Sequence, residues 1–462
     1  MIPYKFTYDY SKTMWMKIFM AEPDFSTNTS KVRVTFEQAL ELIKTVDLLT
    51  QGVPKIVYLV GWQGLGHDDC YLESQKINEY LKRDCDATAR DSFLWLYEEA
   101  KKYHTVVSVH SNIADEFSAC ALHDEYVATG SIVKNPDGTP APIEVFNGRD
   151  AYKVSYNQFW ESGLFHKYWN TLCETLPIRE AGTLHLDNFC IAESFSPRTD
   201  VEEQDEARKA ILDFIHEQGV DVTSEYPCRE LPFRGDYSSH PIRSKFYALH
   251  VDALPGAGDW SKIPNRMIGR VPATWWSSHL TAEDCMNYPA SVCSGHLVDG
   301  NQAAVFYGAM HGEDIWMNRG LRKEDWAPAF IREFCTYQVP YFYLNRHERL
   351  KLEVLPAGGY EVTHSDGVVS NGPAHTITKN GIVIKKDNDL ILPLTEDNRL
   401  FVAYSDNGFA GKWNMPDAVF TKGAVYEITA DGNRYLHDCD VVDGVVELEV
   451  KPGQGIVIAG ER

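Results

Sequence analysis

The chain has 462 residues, 44% of them hydrophobic and 24% charged, the balance of a folded globular protein rather than a disordered or fibrous one. A formal charge of −22 argues against a nucleic-acid binder, which needs Lys and Arg to displace counterions. No apolar run reaches the roughly 18 residues of a transmembrane helix, so no membrane partner is expected.

MIPYKFTYDYSKTMWMKIFM, at the start, lacks a basic segment followed by a long apolar one and does not read as a signal peptide. The ten cysteines are scattered without a CxxC pair, which speaks against a zinc ribbon or a redox motif. Free thiols and a cytoplasmic location are the expectation. The length suits one large barrel with an accessory domain.

MWMKIFM (14–20) reads as a strand and TFEQALELIKTVDLL (35–49) as a helix with Thr35 near its N-cap. IVYLVGW (56–62) is a buried strand, SFLWLYEEAKKY (92–103) a helix, and TVVSVHSN (105–112) a third strand. A helix near 157–176 precedes the strand TLHLDNF (183–189), and EQDEARKAILDFIHEQG (203–219) is a helix with Gly219 at its C-cap. VDVTSEYP (220–227) follows as a strand. Further candidates are KFYALHV (245–251), MIGRVP (267–272), AAVFYGAM (303–310) and VPYFYLN (339–345).

Buried-type strands separated by helix-length segments mean a parallel sheet, and this many repeats favour a (β/α)8 barrel over residues 1–348. VATGSIVKNPDGTPAPIEVFNG (127–148), with its Asp-Gly turn, reads as a hairpin inserted in one βα loop. From 349 to 462 short alternating strands and Asp-Gly, Asn-Gly and Gly-Gly turns predict a β-sandwich, whose function by fold analogy is structural. No glycine-rich phosphate motif follows any strand, which argues against nucleotide chemistry.

In a barrel of this type chemistry sits at the C-terminal ends of the strands. Here those ends are polar. Trp62 leads into the loop GWQGLGHDDCY, with His67, Asp68 and Asp69; the next strand ends His110-Ser111-Asn112. Then come His185-Leu186-Asp187-Asn188 and Ser224-Glu225-Tyr226, while MIGRVP runs into Trp275-Trp276 and AAVFYGAM into His311 and Asp314. Burying a carboxylate there costs several kcal/mol unless it is paired or used. Asp187 and Glu225 lie on consecutive strands, which are roughly 5 Å apart, close to the separation of about 5–5.5 Å that a retaining glycosidase needs. One would be the nucleophile, and its neighbour's charge would keep the other protonated as acid and then base. The bland alternatives are that Asp187 caps the following turn and that Glu225 pairs with Arg229 or Arg243.

Two other chemistries stay open. His67, Asp68, His110 and His185 are suitable metal ligands, but no HExxH stands on a helix and no HxH on the first strand. Neutral histidines donating to hydroxyls explain the same residues without a metal, so neither metal nor cofactor is expected. A non-catalytic carbohydrate-binding protein on the same barrel would not need the second carboxylate.

YLVGWQGLGHDDCY resembles the strand-and-loop signature of the endo-α-N-acetylgalactosaminidases, glycoside hydrolase family 101, and of the related intracellular α-N-acetylgalactosaminidases. VSVHSNIADEF, TLHLDNF and VDVTSEYP resemble their next strands in the same order. The resemblance covers about residues 55–230 with recognisable motifs. It implies Asp187 as nucleophile and Glu225 as acid/base. It also implies His67 and Asp68 as partners of sugar hydroxyls, with Trp62, His110 and Asn112 in the same shell. Asp69-Cys70-Tyr71 and SEYPCRE depart from the family's continuations, and the hairpin has no counterpart.

The expectation is therefore a retaining exo-glycosidase that releases a terminal α-linked galacto-configured sugar, N-acetylgalactosamine first and galactose second, from a small glycoside or oligosaccharide. His185, Trp275 and Trp276 complete the expected substrate-binding set, with Trp316 a further candidate for stacking. Asp69 is expected to face solvent or its own loop's backbone. The oligomeric state is left open.

Overall fold

The computed structural model describes residues 7–73 without 10 and 11, 76–187 without 119, 136, 147 and 148, then 189, 191–192, 201–224, 230–231, 316, 319–347, 349–355, 360–372 and 374–461. Two compact units divide the chain: Met1–Tyr8 with Lys17–Glu41 and Ile56–Leu254, and Asp9–Met16 with Leu42–Lys55 and Pro255–Arg462.

A five-stranded sheet positions the candidate site. Its strands are β1 (Met14–Phe19), β2 (Lys55–Val60), β3 (Thr105–Asn112), β4 (Thr183–Asp187) and β5 (Asp221–Ser224), and their order in space is their order in the chain. Met14 N–H donates to Pro54 C=O and Met20 N–H to Val60 C=O, so β1 runs parallel to β2. The pairs β3–β4 and β4–β5 are parallel too, with His110 opposite His185 and His185 opposite Thr223. Parallel neighbours need a crossover, and helical segments supply it: Phe36–Leu49, Ala89–Ala100, Leu164–Thr175 and Val201–Glu217 each fall between consecutive strands. Two of them open on reciprocal caps. Thr35 and Gln38 exchange side-chain-to-backbone bonds, as do Thr88 and Asp91.

Alternation along the strands is chemical even though nearly every residue is buried. One face carries Val107, Val109, Leu184, Leu186 and Val222; the other carries Ser108, His110, Asn112, Thr183, His185, Asp221 and Thr223. A sheet largely apolar on one face, where buried Ser111 meets the Tyr168 hydroxyl, and buried-polar on the other must satisfy its polar groups internally, and it does so in layers. Asp221 accepts from the Thr7 and Tyr8 N–H groups, Ser108 donates to Thr183 C=O, and the Tyr58 and Thr183 hydroxyls lie 2.6 Å apart.

Of the later strand candidates, 245–251, 267–272 and 303–310 lie outside the described residues. VPYFYLN is corrected: Val339–Leu344 is helical and continues from Lys323–Glu333 through a π turn at Phe334–Gln338. All six residues Val339–Leu344 are buried, and a helix apolar all round cannot be told from a buried strand by periodicity. The π turn ends two residues before Pro340, whose ring and missing N–H disrupt regular α bonding. Trp316 is core as well, 5.7 Å from Trp326 and stacked on Phe330 at 6.1 Å.

Residues 349–460 form a twelve-stranded sheet whose paired strands are antiparallel, joined through the long strand Gly432–Val442. Trp413, Val446 and Leu448 pack in one cluster with Ile391, Phe401, Ile456 and Ile458, so the sheet folds over itself as a sandwich. Val445–Val450 shows strict two-residue burial alternation, the pattern expected of a sandwich strand.

Lys385 lies inside this sandwich, 3% exposed, with its ammonium donating to Asp387 C=O. Burial pulls its pKa down to about 8, against the opposing charges of Asp387 and Asp389. Between about pH 8 and the unfolded value near 10.4 the unfolded chain binds more protons, so stability rises with pH across that window. Lys385→Met is expected to remove that rise and stabilise the protein at pH 7 by on the order of 2 kcal/mol. Thermal midpoints of both proteins from pH 7 to 10 would check this; parallel curves would refute it.

Candidate functional site

The loop after β2 is pinned by backbone contacts. His67 N–H donates to Ala21 C=O, Gly64 N–H to Lys76 C=O, and Asn78 N–H to Trp62 C=O. This fixes where His67 and Asp68 emerge. Asp68 N–H donates to the Tyr71 hydroxyl, which lies 2.5 Å from His67 Nδ1, while His67 Nε2 faces Asp68 Oδ2 at 3.4 Å. A carboxylate opposite Nε2 favours a proton there, so Nδ1 accepts from Tyr71. Tyr71 is the residue that sequence reasoning passed over. Its position four after His67, within the same loop, was the available signal. Tyr71→Phe is expected to cost about 1 kcal/mol and to change the imidazole 15N signals of His67; unchanged signals would overturn the assignment.

From this loop a line of imidazoles crosses the strand ends. His67 and His110 ring centroids are 5.3 Å apart, and His110 stacks on His185 at 5.3 Å and 26°. His185 Nδ1 lies 2.8 Å from Thr223 Oγ1, and Tyr58 flanks the ring at 5.4 Å. Burial pushes the Tyr58 hydroxyl well above its usual range, so it stays protonated. Trp62 is 1% exposed and its indole N–H donates to His110 C=O at 2.8 Å, which makes it a strut under the imidazoles rather than an open wall.

Asp187 ends β4 opposite Asn112. Its carboxylate is 15% exposed, and Oδ2 stands 3.6 Å from His110 Nε2. Asn112 faces inward along its own chain: Oδ1 accepts from Ala114 and Asp115 N–H, and Nδ2 donates to Asp115 Oδ2. It anchors the turn that follows β3.

Asp69 is 5% exposed, so it does not face solvent. Oδ2 accepts from Leu65 N–H within its own loop, and Oδ1 takes Arg149 at 2.9 Å. Glu225, Trp275 and Trp276 lie outside the described residues. The structure thus brings together Trp62, His67, Asp68, His110, His185 and Asp187, with Asn112 alongside. This arrangement offers one partly open carboxylate, a second carboxylate on a pinned loop, and imidazole donors between them. Such groups can bind hydroxyls and attack or stabilise an electrophilic carbon.

A parallel sheet followed by a large antiparallel β domain is the architecture of solved glycoside hydrolases to which this chain is similar. An α-N-acetylgalactosaminidase from Bifidobacterium bifidum in complex with GalNAc matches with a TM-score of 0.51 at 13% identity, over 79% of this chain and 57% of that one. A quadruple mutant of the same enzyme gives a TM-score of 0.53 at the same identity and coverage. The likeness is one of fold, and this chain spans little more than half the length of the Bifidobacterium enzyme. No protein-family model and no curated protein matches the sequence. No helix among the described residues is long and apolar enough to cross a membrane.

Proposed function

We propose that this protein is a retaining glycoside hydrolase that releases a terminal α-linked galacto-configured sugar, N-acetylgalactosamine before galactose. The observation that carries the reading is Asp187: a partly open carboxylate at a parallel-strand end, 3.6 Å from His110, beside the pair His67–Asp68. Asp187 attacks the anomeric carbon while Glu225, which follows Ser224 directly in the chain, protonates the leaving oxygen. Glu225 then takes a proton from water, which frees the sugar. His67 and Asp68 hold hydroxyls, buried His185 backs the ring of His110, Trp62 and Asn112 hold the first group in place, and Trp275 and Trp276 stack on sugar or leaving group.

The same proposal takes the five strands as an arc of a (β/α)8 barrel over 1–348, with 349–462 as its β-sandwich partner. It places the enzyme in the cytoplasm, acting on small soluble glycosides without a catalytic metal or cofactor. Fold likeness to an α-N-acetylgalactosaminidase supports the substrate choice. The test is a panel of aryl α- and β-glycosides of N-acetylgalactosamine, galactose and glucose. Hydrolysis of the α-N-acetylgalactosaminide with the α-anomer as first product, followed by NMR, is expected. Preference for β-glycosides or release of the β-anomer would overturn the reading.

A further inference from the structure

We propose that Cys70, Glu73 and Cys120 form a binding site for one thiophilic divalent cation of the zinc class, distinct from the imidazole line. One ligand atom from each, two thiol sulfurs and a carboxylate oxygen, lies within 4.8 Å of the others. Ligands on one tetrahedral zinc stand roughly 3.8 Å apart, so closure needs a shift of only about 1 Å. Cys120 and Glu73 are buried at 6% and 4% exposure, and Cys70 is half-buried.

The local backbone and surroundings fit such a site. Cys70 holds φ at +54°, a left-handed conformation in which a side chain larger than glycine is strained. That turn packs Cys70 against the buried cluster that contains Cys120, and its thiol donates to Asp69 Oδ1 at 3.3 Å. Tyr71, Phe117 and Ala151 form an apolar shell with the two cysteines, which limits water at the site. Glu73 accepts from Ala121 N–H and meets Lys76 at 3.4 Å, while nearby Glu116 is fully buried with Oε2 2.8 Å from His123 Nδ1. A cleft of about 540 Å³, lined by Gly64, Asp69, Cys70, Glu73, Lys76 and Arg149 among others, reaches the cluster from outside.

Binding converts two thiols to thiolates: the hydrated cation forms two metal–sulfur bonds and one bond to the Glu73 carboxylate, keeps one of its waters as the fourth ligand and releases the rest, and two protons leave to solvent. The ion would tie the loop bearing His67 and Asp68 to the segment after β3.

The experiment titrates the full-length reduced protein with cobalt(II), then zinc(II). One equivalent of cobalt is expected to give tetrahedral thiolate absorption, displaced by zinc, with two protons released per ion. Zinc, but not magnesium, should raise the thermal midpoint. Cys70→Ser, at the half-buried position, should abolish the absorption, and Glu73→Gln should weaken binding by about tenfold or more. Cys173→Ser, in a thiol outside the cluster, should bind as the parent does. No thiolate absorption in the reduced protein, or absorption that survives in Cys70→Ser, would overturn the proposal.

Discussion

Asp187→Ala should lower kcat on the preferred aryl α-glycoside by roughly a thousandfold or more, with the circular dichroism spectrum unchanged. The size follows from the proposed role of nucleophile. A nucleophile divides one difficult displacement into two easier ones, and its loss leaves only binding and the remaining polar groups. The position argues the same way, since Asp187 is the partly open carboxylate of a strand end whose neighbours His110 and His185 are at most 1% exposed. Azide separates the two carboxylate roles by stereochemistry. In Asp187→Ala it takes the nucleophile's place, attacks opposite the leaving group and gives the β-glycosyl azide. In Glu225→Ala it attacks the glycosyl-enzyme instead, so two inversions return the α-glycosyl azide. An α-azide from Asp187→Ala would exchange the assignments, and near-parental activity in either variant would remove that residue from the mechanism.

Much of this arrangement was legible in the sequence because it rests on local chemistry. IVYLV, TVVSVHSN and TLHLD are rich in β-branched and aliphatic residues and bounded by turns, and Thr105–Asn112 is a strand over the span read for it. His110, His185 and Asp187 follow from strand-end position and two-residue parity. What was not legible depends on partners far along the chain. Nothing within GWQGLGHDDCY shows that Asp69 meets Arg149, eighty residues later, and so turns inward. Nothing in TVVSVHSN shows that Asn112 spends its amide on the turn it precedes. VPYFYLN misled for a different reason: burial on every side removes the periodicity that separates helix from strand.

Gly61→Ala should destabilise the protein by about 3 kcal/mol or more, far above the usual cost of a small surface change. Gly61 has φ +73°, and a Cβ built there would stand 2.1 Å from Ala21 O and 2.8 Å from His67 N. Those two atoms belong to the hydrogen bond that pins His67. The added methyl therefore wedges apart the contact that sets the loop, and backbone on both sides leaves no flexible side chain to yield. Gly138 supplies the control. It has φ +86° but nothing within 4 Å of a built Cβ, so Gly138→Ala meets only the left-handed cost of about 1–2 kcal/mol. The difference between the two variants in urea midpoint isolates the close approach from the dihedral. Equal losses would show that the approach of Gly61 to Ala21 does not hold the loop. A larger loss at Gly61, with a raised KM in the fraction that folds, would show that a single missing methyl group sets both the stability of the loop and the placement of His67.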